Sequence, residues 1–160
     1  MRFSVKITPR QAEPLDRDAI LALDESRFDP SLPPHTGDWL GPDRAAWIDK
    51  WIAAGECFIA EAEGQAVGYG VFHYHFFHDG MIDMLIVGGP YRRRGVGRAL
   101  VRHFVGICQS EKIWSSTNLS NHPMQALLAA EGFKMSGFVD NLDDGDPELI
   151  YFKRAQVASA

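Results

Sequence analysis

The chain has 160 residues, is 46% hydrophobic and 23% charged, and carries a formal net charge of −5. That length favours one domain, residues 1–160, with a full hydrophobic core, and the acidic balance disfavours a generic nucleic-acid binder, which needs a basic surface. Cys57 and Cys108 sit in apolar patterns and read as free thiols. No run resembles a signal peptide or a membrane span, so a soluble cytoplasmic protein is the expectation.

Phe3 to Ile7 alternates apolar and polar residues, as a strand with one buried face does. Pro9 and Pro14 bracket a loop, and Asp16 stands as N-cap of a helix with Leu15, Ala19, Ala22 and Leu23 on one side. Asp29 to Gly41 is rich in Pro, Asp and Gly and reads as an irregular connector or a substrate-facing loop. Gly41-Pro42-Asp43 opens a second helix, with Pro at its first position and Gly55 at its end. Its inner face is Trp47, Ile48, Trp51 and Ile52, where the tryptophans read as core rather than as a ligand shelf.

Glu56 to Ala62, Gln65 to Phe77 and Met81 to Val87 read as three successive strands, with turns at Glu63-Gly64 and His78-Asp79-Gly80. A helix to about Ser110 follows, with Val96, Leu100, Phe104 and Cys108 on one side. Next come a strand at Lys112 to Thr117, a loop at Asn118 to Pro123, a helix at Met124 to Glu131 and the strands Phe133 to Asp140 and Glu148 to Lys153. The expected fold is α/β (α+β), with a mixed, mostly antiparallel central sheet of about seven strands and helices on both faces. Its ordered core spans about residues 3–154.

The stretch from Met81 to Ser110 organises the rest. A strand runs into Gly88-Gly89-Pro90-Tyr91, then Arg92-Arg93-Arg94-Gly95-Val96-Gly97, and a helix opens there. Such a loop aims backbone N–H groups and the positive end of a helix dipole at one point, which suits a phosphate. Arg92, Arg93, Arg94 and Arg98 concentrate charge in an otherwise acidic chain, which points to a small polyanion.

These residues resemble the GCN5-related N-acetyltransferase (GNAT) superfamily. Its acetyl-CoA loop, Gln/Arg-x-x-Gly-x-Gly/Ala, matches Arg92 to Gly97, preceded by Leu85-Ile86-Val87 at the family's spacing. A second block, Asn121 followed by a helix and Gly132-Phe133, also matches, and the element order agrees over nearly the whole chain. The resemblance implies a splay between the fourth and fifth strands, with the pantetheine of acetyl-CoA paired to the backbone of Leu85, Ile86 and Val87. It places the pyrophosphate on the amides around Arg92, Arg93, Arg94, Gly95, Val96, Gly97 and Arg98, and Asn121 against the CoA arm. It implies homodimers, often through the last strands.

Direct acetylation of an amine needs a base, a polarised thioester carbonyl and a stabilised leaving thiolate. Asp83 is the candidate base: it is the carboxylate in an apolar strand, strand alternation puts it on the face of Leu85 and Val87, and some polyamine-type relatives carry a Glu there. The alternatives are a structural role for Asp83, capping the turn at Asp79-Gly80 or pairing with a histidine, or a water chain with no single base. The tyrosine that serves many members as acid is replaced by Leu128, leaving Tyr74, His122 or Tyr151 as substitutes. Ser116 stands where some amino-terminal acetyltransferases carry a catalytic Glu, which argues against that subgroup.

His73 and His75 share one strand face and are candidate substrate-pocket residues, with surface histidines as the alternative. With His78 and Asp79 they make a weak metal pattern, and no metal is expected. By family likeness the substrate pocket is walled by the first two helices, the Asp29 to Gly41 loop, the His73 to Phe77 strand end and the Asn141 to Pro147 loop. Asp140, Asp143, Asp144, Asp146 and Glu148 are positioned to attract a cationic amine or simply form a solvated turn. The expected function is an acetyl-CoA-dependent N-acetyltransferase acting on a small-molecule or peptide primary amine, without nucleic-acid or membrane partners. The alternatives are a GNAT-like CoA-binding module without activity, suggested by Leu128, and a nucleotide-binding module using the arginine loop.

Overall fold

Alternation along the central strands sends side chains to two faces, and each face builds its own core. The computed structural model describes residues 4–26 and 43–155. Its strands are β1 (Ile7–Gln11), β2 (Cys57–Ala62), β3 (Gln65–Phe76), β4 (Asp79–Val87), β5 (Lys112–Asn118), β6 (Lys134–Val139) and β7 (Glu148–Arg154). The helices are α1 (Arg17–Glu25), α2 (Arg44–Ala53), α3 (Val96–Ile107) and α4 (His122–Ala130). The seven strands form one sheet in the order β1-β2-β3-β4-β5-β7-β6. Every neighbouring pair is antiparallel except β4 and β5, which are parallel across α3, as the sequence predicts.

On β2, Phe58, Ala60 and Ala62 turn towards α3, while Cys57 and Ile59 turn towards α1 and α2. α3 buries Val96, Leu100, Val101 and Phe104 against the first face, and α4 adds Leu128. Phe104 stacks on Phe72 at 5.3 Å and meets Phe58 edge-on at 5.2 Å. Each such side chain contributes about 1.5–3 kcal/mol by leaving water. The second face takes Ile20 and Leu23 from α1, and Ile48 and Trp51 from α2, so the tryptophan pattern is core. Both cysteines are free and buried, and burial pushes the Cys57 thiol up to about 12.

Some boundaries differ from expectation. The first strand begins at Ile7, and Pro9 lies inside it opposite Ala60. β1 is an edge strand, so the missing N–H of Pro9 interrupts no ladder. A 3-10 turn at Pro14–Asp16 precedes α1. Leu15 therefore falls before the helix and is 93% exposed, and the buried face of α1 is Ile20, Leu23 and Asp24. The turn between β3 and β4 uses left-handed Phe77 and His78, with φ of 52° and 67°, so β4 starts at Asp79. The loop expected at Asp29 to Gly41, and Pro42, lie outside the described residues.

A buried polar link joins α1, α2 and β3. Asp24 is fully buried, and Arg44 donates to it through Nε and, at 2.7 Å, through Nη2. The Tyr69 hydroxyl donates to Asp24 Oδ1 at 2.5 Å. Charge and partner are matched inside the second core, as a buried carboxylate requires.

Candidate active site

The parallel pairing of β4 and β5 is short. It consists of Gly80 with Ile113, Met81 with Trp114 and Ile82 with Ser115. The Ser115 hydroxyl donates to the Ile82 carbonyl at 3.1 Å and marks the end of the ladder. Beyond it, Asp83 to Val87 on one strand and Ser116 to Asn118 on the other have no register partner across the gap. This is the expected splay between the fourth and fifth strands.

The backbone on the β4 lip is orientated by the β3 ladder. The Gly88 amide donates to the Val67 carbonyl at 3.0 Å. An antiparallel ladder repeats every two residues, so Ile86 and Met84 also turn their polar groups to β3. The N–H and C=O of Leu85 and Val87 therefore face the opening. Arg92 Nε reaches the Val87 carbonyl at 3.4 Å.

The loop after β4 makes a 3-10 turn at Gly89–Tyr91 and then curls through two left-handed residues, Arg93 at φ 60° and Gly95 at φ 84°. Gly95 occupies the N-cap of α3 and supplies no side-chain cap, so the first-turn amides point outward at the positive end of the helix dipole. Arg92, Arg93 and Arg94 are exposed around them. Gly97 has a packing reason as well as a ligand reason: a Cβ there would stand 3.1 Å from Leu127 and 3.7 Å from Leu85. Arg98 differs from its neighbours. Its Nε pairs with Glu131 Oε1 at 3.0 Å, and Arg102 pairs with the other oxygen at 2.9 Å. The Arg98 guanidinium is thus committed to α4, and its amide remains at the start of α3.

Asn121 caps α4, its Oδ1 accepting from the Met124 amide at 3.2 Å. Leu128, at the family's tyrosine position, is fully buried in the core under α4. Of the substitutes, Tyr74 bonds the Gln109 amide at 3.1 Å, beyond the C-terminal end of α3 and away from the splay. Tyr151 is 8% exposed and belongs to the α3-side core. His122 is exposed at the first turn of α4.

Asp83 is the first β4 residue past the ladder, at the apex of the splay. Its face differs from the expected one. Val71 pairs with Met84 and Phe72 with Ile82, so Asp83 is the extra residue of a β-bulge. The bulge breaks the alternation: Ile82, Leu85 and Val87 join the α3-side core, whereas Met84 and Ile86 join the other. The Asp83 carboxylate lies 3.2 Å from Nε2 of His73, which follows Tyr69 and Val71 on the α1–α2 side of β3. The rings of His73 and His75 lie 4.8 Å apart, so these two do share a face. His75 Nε2 meets Glu56 at 2.7 Å. Among the described residues no three His, Cys, Asp or Glu side chains converge as metal ligands would.

Two groups at the splay carry no motif. Ser116 is the β5 counterpart of Asp83, and its hydroxyl lies near Glu148 at the start of β7, where it favours the ionised carboxylate. Glu148 alternates with core residues Leu149 and Tyr151, so it shares the face of Asp83 and Ser116. Burial is the main cause that raises the Glu148 carboxyl above its ordinary range; the Ser116 hydroxyl opposes the rise, and the charges of Asp143, Asp146 and Asp83 add to it. The signal was present in the alternation of β7, but the acidic turn before it masked it. Asp143 and Asp146 have structural work: Asp143 accepts from Asn118 Nδ2 at 2.8 Å, and Asp146 from the Ser120 amide and hydroxyl at 2.9 and 2.6 Å. A surface hollow of about 470 Å³ lies beside Thr8 and Glu61 at the far sheet edge, away from this chemistry.

A mixed seven-stranded sheet whose one parallel pair opens above an uncapped helix start is the arrangement that known acetyltransferases share with this chain. The model of the Acetyltransferase (GNAT) family matches residues 21–133, and the chain belongs to that family. A GNAT acetyltransferase from Bacillus cereus ATCC 10987 is 30% identical, with 95% of this chain and 99% of that one covered at a TM-score of 0.83. A ribosomal-protein-alanine N-acetyltransferase from Brucella melitensis shares the fold at 21% identity, 92% and 99% coverage and a TM-score of 0.73. So does yncA from Salmonella typhimurium, solved with its cofactor acetyl-CoA, at 15% identity, 96% coverage of both chains and a TM-score of 0.70. A search of curated proteins gave no match. No helix among the described residues is long and apolar enough to cross a membrane.

Proposed function

We propose that the chain transfers the acetyl group of acetyl-CoA to a primary amine, by direct attack at the splay of β4 and β5. The observation that carries this reading is the end of the ladder at Ile82 and Ser115, which leaves the backbone of Leu85 and Val87 facing the opening above the start of α3. The residues fit the cofactor. Leu85, Ile86 and Val87 would hold its pantetheine edge-on, and the amides from Arg93 to Arg98 its pyrophosphate, with Arg92 and Arg94 adding charge. Asn121 would contact the arm through the side-chain amide nitrogen that its cap leaves over. When bound, the thioester supplies an activated acyl group.

Asp83 takes the proton from the incoming ammonium group. A β4 amide at the splay would polarise the carbonyl that the free amine attacks, and the nitrogen's second proton would leave through water as the amide forms. Leu128 offers no proton to the departing sulfur, so water or His122, the substitute that lies on neither a buried face nor the far end of α3, would supply it. Glu148 and Asp83 give the acceptor side of the cleft a negative field, which suits an amine that arrives protonated. His73 and His75 line the same side, and His73 takes part through Asp83.

Release of free thiol from acetyl-CoA, followed across a panel of amines and peptides, tests the reaction. Asp83→Asn should lose at least about a hundredfold in kcat/KM. Full activity of that variant at every pH would remove Asp83 as base. The burial of Leu128 favours one second reading, a CoA-binding module without transfer. It predicts tight calorimetric binding of CoA with no thiol release on any amine.

The partner we propose beyond the substrate is a second copy of the chain. The edge strand β6 leaves Met135 and Phe138 56% and 62% exposed beside a row of unpaired backbone groups, which a second strand can cover. Sedimentation of a single monomeric species at micromolar concentration would dismiss it.

A further inference from the structure

Building on the reading of Asp83 as base, we infer that His73 is its positioning residue, a hydrogen-bond donor locked in one tautomer, and that it relays no proton. Three contacts carry this. The backbone amide of His75 donates to Nδ1 of His73 at 3.0 Å. That nitrogen therefore presents a lone pair, and the ring proton of the neutral imidazole sits on Nε2. Nε2 lies 3.2 Å from Asp83 Oδ2. The imidazole thus donates to the carboxylate and fixes its direction, as outer hydrogen-bond partners orient reactive groups elsewhere. Its side chain is 12% exposed, against 28% for Asp83, so the donor is held in protein while the acceptor opens to the cleft.

Proton transfer through the ring is blocked at both ends. Nε2 already carries the proton that a relay would accept from Asp83. Nδ1 is occupied by a main-chain N–H fixed in β3, and protonating it would set two donors against each other. The bulge at Asp83 explains why such a fixture is needed. A bulged residue is not held by a regular ladder, and its side chain direction is set by local contacts. Without His73 the Asp83 carboxylate would be free to rotate towards Ser116 and Glu148. The charged and titratable groups around the ring are Asp83 from β4, the His75 ring from its own strand and Glu56, which binds His75 at 2.7 Å. Glu148 faces Asp83 from β7.

The test compares His73→Ala with His73→Gln, whose side-chain amide can offer an N–H near the position of Nε2. His73→Ala should lower kcat on the order of tenfold or more, with KM for acetyl-CoA unchanged, because a reacting group that loses its orientation is costly even without losing contacts. His73→Gln should recover most of the rate. Equal loss in both variants, or no loss in Ala, overturns the inference. Imidazole 15N spectra of the wild-type protein give a readout without catalysis. Protonated Nε2 with unprotonated Nδ1 near neutral pH is expected, and the opposite tautomer overturns the assignment even if neither variant folds. Asp83→Asn assayed alongside separates the two claims: full activity there removes the base reading, while the tautomer result decides the hydrogen bond by itself.

Discussion

The Ser115 hydroxyl donates to the Ile82 carbonyl at 3.1 Å, and the residue after each of these two strand positions faces the open splay. One buried side-chain hydrogen bond closes the apex from which the cofactor cleft widens. Ser115 is 1% exposed, so removing it leaves a carbonyl short of a partner in a dry place. Ser115→Ala should cost about 1–3 kcal/mol in urea unfolding, the penalty for a buried group left unpaired. The affinity for CoA should fall with it, as calorimetry will show, because the lip of β4 loses its fixed end.

The cofactor loop depends on two glycines for different reasons. Gly95 holds φ 84° at the N-cap of α3. Gly95→Ala must place a Cβ in the left-handed region, at about 1–2 kcal/mol, with no atom within 4 Å to clash. Its CoA affinity should drop roughly tenfold, in line with that strain. Gly97→Glu instead meets Leu127 at 3.1 Å and brings a negative charge to the phosphate cradle. Its CoA binding should vanish in the same titration.

The Asp24 carboxylate ties α1 to α2 from the interior, with Arg44 and Tyr69 as donors. Taking one partner from a buried ion pair removes the charge that offsets the desolvation of the other. Asp24→Ala should therefore destabilise the fold by about 3–5 kcal/mol, read as a fall in Tm. Replacing Asp24 and Arg44 together with apolar residues should recover much of that loss.

The fold was legible because several signals agreed. Apolar runs separated by the turns at Glu63-Gly64 and His78-Asp79-Gly80 marked β2 to β4, and the loop from Arg92 to Gly97 fixed where α3 begins. The backbone that faces the splay was legible for the same reason, since it depends on register and not on any side chain. The orientation of Asp83 was not legible: a bulge has no residue signature here, and it shifts the phase of the strand, so that Asp83 and Ile82 both change face relative to Leu85 and Val87. The Arg98 pairing with Glu131 was also hidden, because it joins α3 to the last turn of another helix. Nor could spacing reveal that Pro9 sits in an edge strand, a question decided by which strand lies outermost.

Glu148 links the cleft to stability through pH. Its carboxyl lies above the ordinary glutamate range in the folded chain, chiefly through burial. The folded state then binds the proton more tightly than the unfolded state, so stability falls as pH rises from the ordinary glutamate range through the raised folded value. Above that window the ionised group weakens the fold; below the ordinary range it has no effect. Glu148→Gln keeps an acceptor for Ser116 and removes the charge beside Asp83, Asp143 and Asp146. Its Tm should exceed the wild-type Tm near pH 8, and the gap should close near about pH 4. A variant less stable than wild type near pH 8 would mean that the carboxylate gains more from its contacts than burial takes away. The same substitution should raise KM for a protonated amine while leaving CoA binding intact, because Glu148 stands on the acceptor side of the splay and the arginine loop on the other. A carboxylate kept half-buried at a cost to the fold is what a site selecting cationic acceptors would retain.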